Sequence, residues 1–163
     1  MQLVPRVKRS PRSVRPICLS FMQAALSCAS KPHSLTNVRP TRVLPGITSP
    51  LRHVNGGELD WVIVRENSEG EYAGVGGRAH QGSPLEVATD VAMFTRAGVE
   101  RIMRFAFKLA RSRPRKLLTV ITKSNAQRHA MVMWDEIALQ VSKEFPDVKW
   151  DKELVDASTA RMI

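Results

Sequence analysis

Hydrophobic and polar positions alternate in blocks from Leu59 onward, and their period changes from strand-like to helix-like. The short apolar run 61–64 follows a pair of glycines and predicts a strand that is covered on both faces. The run Leu117–Thr122 is richer in β-branched residues and predicts a second buried strand. Between them, apolar residues recur every three or four positions over 97–112, which predicts an amphipathic helix ending before Pro114.

The remaining segments continue this alternation. The glycine-rich residues 66–83 predict a loop or a hairpin, and residues 89–95 predict another strand. A second helix is predicted to present one apolar face, formed by Met131, Trp134, Ile137, Ala138 and Val141. Residues 148–150 predict a short strand, and residues 152–162 a last helix with Asp151 as its N-cap. Strands that alternate with helices of this length predict an α/β fold whose sheet is at least partly parallel.

The net charge of +10 over 163 residues is typical of nucleic-acid binding, but its distribution is not. Residues 1–57 contain nine Lys and Arg and no Asp or Glu. Residues 58–163 carry 16 basic and 15 acidic residues, so their net charge is only +1. No aromatic residues interleave with the basic cluster near the N-terminus to stack on bases. We therefore expect no nucleic-acid partner.

Residues 1–36 are the least typical of a packed domain, because they are rich in Pro, Ser and Arg and lack acids. Such a start is typical of transit peptides, while the mildly apolar residues 17–29 leave a secretory signal open. A third interpretation is an unstructured N-terminus without a targeting role. We expect a disordered basic leader over 1–36 and a domain over 37–163. The expected location is the cytoplasm, with the mitochondrion as the alternative.

Motifs of self-contained active sites are missing from the sequence. The four histidines and two cysteines have no zinc-binding spacing, and two cysteines are too few for a disulfide-stapled scaffold. The sequence contains no Gly-x-Gly-x-x-Gly, no Walker loop and no Gly-x-Ser-x-Gly elbow. No apolar run approaches the roughly 18 residues of a membrane span, so we expect no membrane association.

Several longer strings together resemble one enzyme family. They are Asn37-Val-Arg-Pro-Thr-Arg-Val-Leu-Pro-Gly46, Thr48-Ser-Pro-Leu-Arg52, Asp60-Trp-Val-Ile-Val-Arg-Glu-Asn-Ser-Glu-Gly-Glu-Tyr72, Val75-Gly-Gly-Arg78, Thr122-Lys-Ser-Asn125, Trp134-Asp-Glu136, Pro146-Asp-Val-Lys-Trp-Asp151 and Val155-Asp-Ala157. They resemble the metal-dependent, β-decarboxylating dehydrogenases of 2-hydroxy acids, which include isocitrate, isopropylmalate, tartrate and D-malate dehydrogenases. Residues 66–72 and 75–78 are most similar to the tartrate and D-malate branch. The resemblance covers residues 37–163 and implies the central part of an isopropylmalate-dehydrogenase-like α/β sandwich.

The resemblance implies a small 2-hydroxy dicarboxylic acid as substrate, oxidised at C2 with NAD as cofactor. Arg39 and Arg65 match the arginines that clamp the substrate, and guanidinium groups suit carboxylates because they donate two parallel hydrogen bonds. Tyr72, the only tyrosine, matches the proton donor to the enolate left after β-decarboxylation. On residue type alone, Arg65 would equally suit a solvent-facing charge and Tyr72 a half-buried hairpin position.

Three further residues are assigned roles by the same resemblance. Lys123 directly follows a predicted buried strand and matches the lysine that relays a proton from the C2 hydroxyl. Asn125 matches a position near the nicotinamide. Asp156 matches one of three aspartates that hold Mg²⁺ or Mn²⁺, ions that prefer oxygen ligands. On residue type alone, Lys123 would also suit a solvated loop and Asp156 the first turn of a helix.

The resemblance also implies a homodimer with shared active sites, in which the lysine and one aspartate serve the neighbouring subunit. Residues 71–83 match an arm that joins the two subunits. The 163 residues lack two of the metal aspartates and the glycine-rich adenosine site of the family, and Ala29 stands where another substrate arginine is expected. We therefore expect a chain that is truncated at both ends and inactive alone. The alternative is a non-catalytic dimerisation or interaction fragment of the same family.

Overall fold

The computed structural model describes residues 17–19, 36–49 and 59–162. The elements, in chain order, are β1 (Ile17–Leu19), β2 (Thr36–Arg42), β3 (Asp60–Glu66), β4 (Gly70–Ala79), β5 (Val87–Met93), α1 (Arg96–Ser112), β6 (Leu117–Thr122), α2 (Ala130–Ser142), β7 (Lys149–Leu154) and α3 (Val155–Met162). Of the predicted leader, residues 1–36, only Ile17–Leu19 and Thr36 are described, and both belong to strands. The rest of the leader lies outside the described residues.

Five strands form one sheet with the order β2-β3-β1-β6-β7. Strands β3, β1, β6 and β7 run parallel to one another, and β2 runs antiparallel to β3 at the edge. Five of the six residues of β6 are buried, as a continuous apolar run in a central parallel strand requires. The predicted α/β fold with an at least partly parallel sheet is therefore confirmed.

Helices α1 and α2 pack against each other and against the sheet. Both predicted apolar stripes are buried, with Val99, Ile102, Met103, Ala106, Phe107 and Ala110 from α1 and Met131, Trp134, Ile137, Ala138 and Val141 from α2. They share one core with the strand residues Val62, Val64, Leu118 and Val120. Because side chains alternate along a strand, the odd-numbered residues of β3 face the opposite side of the sheet.

The glycine-rich segment forms a hairpin, which was one of its two predicted structures. Strands β4 and β5 pair only with each other among the described strands, antiparallel, with Val75 opposite Val91 and Ala79 opposite Val87. The strand predicted over 89–95 is β5, which begins and ends two residues earlier. Nearly all residues of both strands are exposed, so the hairpin projects from the core.

The end of the chain differs from the prediction. Asp151 is not a helix N-cap, because it lies in β7 opposite Thr119 of β6. The parallel ladder with β6 extends this strand to Leu154, and α3 begins only at Val155. Backbone pairing with a neighbouring strand thus outweighs the local signal for an N-cap. In the described part of the chain, no helix combines the length and apolarity needed to cross a bilayer.

Candidate active site

The carboxyl ends of the parallel strands meet at one edge of the sheet. Arg65 is the penultimate residue of β3, Lys123 directly follows β6, and Asp156 is the second residue after β7. In α/β folds, ligands bind at this edge, because the loops that follow parallel strands converge there. Three of the predicted site residues thus share one edge of the sheet.

Arg65 and Tyr72 are in direct contact. Arg65 donates a hydrogen bond from Nη2 to the Tyr72 hydroxyl, and its Cζ lies 4.8 Å from the centre of the phenol ring. Arg65 is 4% exposed and Tyr72 is 39% exposed. Burial of a guanidinium is unfavourable unless it has hydrogen-bonding or ring partners, and the phenol supplies both. The pair therefore combines a buried cation with a hydroxyl that remains accessible to solvent.

Arg39 lies on the same face of the sheet as Arg65. The β2–β3 ladder pairs Asn37 with Arg65 and Arg39 with Ile63, so the two arginines are diagonal neighbours. Diagonal positions on antiparallel strands are about 7–8 Å apart, within reach of long side chains. Arg39 is exposed and donates from Nε to Asn37 Oδ1 at 3.2 Å. Two guanidinium groups and a phenol therefore share the sheet face opposite α1 and α2.

Lys123 and Asp156 form a second group at this edge. Lys123 Nζ donates a hydrogen bond to Asp156 Oδ2, and the two side chains are 34% and 68% exposed. The Lys123 carbonyl accepts hydrogen bonds from the backbone N–H groups of Ala126 and Gln127, both at 2.9 Å, which closes the turn after β6. Asn125 is exposed within this turn. The lysine, the asparagine and the aspartate therefore cluster beyond the ends of β6 and β7.

The two groups lie on either side of β1. Strands β3 and β6 both pair with β1, so at a strand spacing of about 4.8 Å their ends are about 10 Å apart. This separation exceeds the reach of a direct hydrogen bond between strand ends. The predicted residues thus form two separate groups. Arg65 contacts Tyr72, with Arg39 as a diagonal neighbour on β2. Lys123 contacts Asp156, with Asn125 in the turn after β6.

Two acidic residues to which the sequence assigns no role lie at the connection between β3 and β4, Glu66 as the last residue of β3 and Glu69 in the turn. Glu66 is fully buried and accepts hydrogen bonds from Ser68. Glu69 accepts hydrogen bonds from the backbone N–H and the hydroxyl of Thr95, the N-cap of α1. The only signal in the sequence was that both acids belong to the string that carries the family resemblance. Their contacts anchor the turn to β3 and to the start of α1.

The described residues do not by themselves fit a divalent metal or a dinucleotide. Among them, no three His, Cys, Asp or Glu side chains are grouped so that they could hold a metal ion. Asp156 contacts an ammonium group, and Mg²⁺ requires octahedral oxygen ligation that one carboxylate cannot supply. Asn125 is the one residue that the sequence predicts to lie near NAD. Neither cofactor therefore has a complete site within the described part of the chain.

Ion pairs shift several pKa values on the outer side of α1. Hydrogen bonds to Glu144 and then Glu100 raise the pKa of Arg104, and the bond from Arg104 lowers the pKa of Glu100. Arg111 and, to a smaller degree, Lys116 lower the pKa of Asp147. Glu100, Arg104 and Arg111 belong to α1, Glu144 and Asp147 follow α2, and Lys116 directly precedes β6.

Comparison with known proteins identifies relatives of this chain. The family model for isocitrate/isopropylmalate dehydrogenase matches residues 20–163. A probable tartrate dehydrogenase/decarboxylase of Agrobacterium vitis is 71% identical over 147 residues, which are 90% of this chain and 38% of that protein. The D-malate dehydrogenase (decarboxylating) of Escherichia coli K12 is 46% identical over 127 residues, which are 78% of this chain and 35% of that protein. The chain thus spans just over a third of the length of these curated relatives.

Solved structures agree with the sequence relatives. The crystal structure of isocitrate dehydrogenase from Methylococcus capsulatus superposes with a TM-score of 0.69 at 35% identity. The match covers 78% of this chain and 36% of that enzyme. The fold and the sequence therefore point to the same group of proteins.

Proposed function

The chain belongs to the isocitrate/isopropylmalate dehydrogenase family, and we propose that it is part of an NAD-dependent oxidoreductase acting on a 2-hydroxy dicarboxylic acid. Tartrate and D-malate are the substrates named for its relatives, and both carry a hydroxyl next to a carboxylate. The proposed reaction is oxidation at C2, followed by β-decarboxylation where the intermediate allows it.

The contact between Arg65 and Tyr72 is the observation that carries this proposal. A nearly buried guanidinium beside an accessible phenol suits an anionic substrate that must also receive a proton. Arg39, a diagonal neighbour on the same sheet face, supplies a second cation for the second carboxylate of a diacid. A charged side chain placed only for solubility would not be 4% exposed, as Arg65 is.

Each predicted residue has one role in the proposed reaction. Arg39 and Arg65 bind the substrate carboxylates, and Tyr72 gives a proton to the enolate that decarboxylation leaves. Lys123 takes the proton of the C2 hydroxyl, and NAD, if held in a complete site, would supply the hydride acceptor. Asn125 lies on the nicotinamide side, and Asp156 would contribute one oxygen ligand to Mg²⁺ or Mn²⁺ in a complete site.

We also propose a homodimer in which the sites are shared. The strand spacing separates Arg65 from Lys123 by two strand widths, about 10 Å, within one chain. The partner subunit's Lys123 and Asp156 would complete the site formed by Arg39, Arg65 and Tyr72. Such sharing accounts for exposed lysine and aspartate side chains at a sheet edge.

Substrate binding can be tested on the chain itself, because Tyr72 is its only tyrosine. Protein labelled with ¹³C-tyrosine gives a single tyrosine resonance, which D-malate or tartrate should shift, whereas sodium chloride at equal ionic strength should not. Arg65→Lys should weaken this response about tenfold or more, because lysine lacks the bidentate fork. The matched variant Arg78→Lys, at an exposed ion pair of β4, should respond as the wild type does. A wild-type resonance that does not respond to either diacid would refute the proposal.

Turnover is the second measurement. With NAD, Mn²⁺ and D-malate, tartrate, isopropylmalate or isocitrate, the 163-residue chain alone should produce no NADH, because its described residues hold neither a complete metal site nor a complete dinucleotide site. NADH formation by the purified chain would contradict this expectation.

A second candidate function is a non-catalytic interaction module of the same family. One face of the β4–β5 hairpin is mostly apolar, with Thr89 as its polar residue among Val75, Ala79, Val87, Val91 and Met93. A two-stranded hairpin is marginally stable alone, and an exposed apolar face on it is typical of a protein contact. Pairing of two such faces would join two copies of the chain, or one copy and a longer family member.

Analytical ultracentrifugation tests this contact. The wild-type chain should sediment as a dimer, and Val91→Asp should convert it to a monomer because the substitution places a charge on the apolar face. Ala88→Asp is the matched control, since Ala88 lies opposite Arg78 on the other face of the hairpin. A monomeric wild type, or equal effects of the two variants, would count against the hairpin as the contact.

A further inference from the structure

Glu66 is a fully buried carboxylate that the proposed reaction does not use. It is the last residue of β3 and its exposed fraction is 0%. Because side chains alternate along the strand, Glu66 faces α1 while the preceding Arg65 faces the opposite side. Burial of a carboxylate costs several kcal/mol unless hydrogen bonds and charges compensate it. Its contacts therefore indicate what this residue does.

The Glu66 carboxylate connects three parts of the fold. Its Oε1 accepts hydrogen bonds from the backbone N–H of Ser68 at 2.8 Å and from the Ser68 hydroxyl at 2.5 Å. Its Oε2 lies 3.8 Å from Nη2 of Arg101, on α1. One side chain thus fixes the turn after β3 to the strand itself and orients that turn toward the helix.

The position of this turn decides where Tyr72 lies. Only three residues lie between Ser68 and Tyr72, and Gly70 among them has a φ of +75°, which reverses the chain direction. After this reversal, Tyr72 lies beside Arg65 and contacts it with both the phenol hydroxyl and the phenol ring. A turn that is free to shift at Ser68 would move the phenol relative to the guanidinium.

We propose that Glu66 is a positioning residue for the Arg65–Tyr72 pair and that it acts through Ser68. Its relevance to catalysis rests on the proposed function of that pair, whereas the positioning itself can be measured without any substrate. Hydrogen bonds to a charged acceptor are strong enough to hold a three-residue turn in one conformation. The Glu66 carboxylate contacts Ser68 and Arg101 on the side of the sheet opposite to Arg65, so its effect on the pair is transmitted by the turn.

The single ¹³C-tyrosine resonance of the free protein tests this proposal. Ser68→Ala removes one of the two hydrogen bonds, and Glu66→Leu removes both, so each should shift the resonance toward its position in urea. Glu66→Gln retains an amide oxygen that can accept from Ser68, and should restore most of the wild-type position. Asn67→Ala is the matched control, because Asn67 is an exposed neighbour in the same turn.

Circular dichroism and tryptophan fluorescence should stay unchanged in Ser68→Ala, which separates a local shift from unfolding. If Glu66→Leu does not fold, Ser68→Ala still decides the question. A Ser68→Ala resonance at the wild-type position, or an equal shift in Asn67→Ala, would overturn the positioning role. A shift in Ser68→Ala together with no wild-type response to D-malate would instead reject the proposed function and keep the positioning role.

Discussion

The Glu69 carboxylate lies against the backbone of Gly98, so close that a Cβ on Gly98 would stand 2.2 Å from Oε2. Gly98 is in the first turn of α1, where its N–H bonds to the Thr95 hydroxyl at 3.0 Å. The same carboxylate accepts from the Thr95 N–H at 3.0 Å and from the Thr95 hydroxyl at 2.6 Å. The absence of a side chain at Gly98 therefore permits the close approach of a carboxylate from another segment.

This relationship predicts a non-additive pair of substitutions. In an ordinary helix position, Gly→Ala stabilises by up to about 1 kcal/mol. Gly98→Ala alone should stabilise little or not at all, because the new methyl group displaces the Glu69 carboxylate from the N-cap. In a Glu69→Ala background, Gly98→Ala should stabilise by about 0.5–1 kcal/mol. Urea unfolding of the four proteins measures the coupling, and additive effects would contradict the contact.

Adjacent glycines of β4 provide a second matched pair. A Cβ on Gly76 would lie 2.2 Å from the backbone oxygen of Thr89, whereas a Cβ on Gly77 would meet nothing within 4 Å. Gly76→Ala should destabilise the hairpin by about 1–3 kcal/mol, because the partner strand must move. Protection of the β4–β5 amides from hydrogen exchange should fall about tenfold or more, while protection in β6 is retained. Equal protection in Gly76→Ala and Gly77→Ala would disprove the close approach.

The ion pair between Lys123 and Asp156 should contribute little to stability. The two side chains are 34% and 68% exposed, and exposed pairs contribute about 0–1 kcal/mol. Lys123→Met and Asp156→Asn should therefore each lower the free energy of unfolding by less than about 1 kcal/mol, and less still at high salt. Leu118→Ala, in the core, sets the scale at about 2–5 kcal/mol. If Lys123→Met lowered the free energy of unfolding as much as Leu118→Ala does, the ion pair would be structural rather than available to ligands.

Asp147 should contribute to the acid sensitivity of the fold. Arg111 and then Lys116 hold the pKa of this carboxyl below its usual value of 3.8. A group whose pKa is lower in the folded state stabilises the fold above the unfolded pKa, and that stabilisation is lost as the pH falls through the folded pKa. Asp147→Asn should therefore lower the urea midpoint at neutral pH, and its difference from wild type should vanish in acid. A difference between Asp147→Asn and the wild type that persists unchanged in acid would contradict this role.

Local sequence patterns predicted the central elements well. The β-branched run over Leu117–Thr122 is β6, and the apolar spacing over 97–112 is α1 with one additional residue at its start. Both elements are buried on their predicted faces because the hydrophobic effect acts on the same periodicity that the sequence displays. The prediction was wrong near Asp151, where pairing with β6 extends a strand into a segment that resembles a helix start.

Residue types and strings along the chain were thus sufficient for the α/β class, the family and the candidates Arg39, Arg65, Tyr72, Lys123, Asn125 and Asp156. Their grouping required the tertiary structure. Arg65 meets Tyr72 because a turn fixed by Glu66 reverses the chain, and Lys123 meets Asp156 because β6 and β7 run parallel. Within the described residues, the structure likewise shows which cations are buried and paired, which the net charge of +10 does not reveal. Spacing along a chain specifies periodicity, whereas the distance between residues on different strands depends on register and on the direction of the strands.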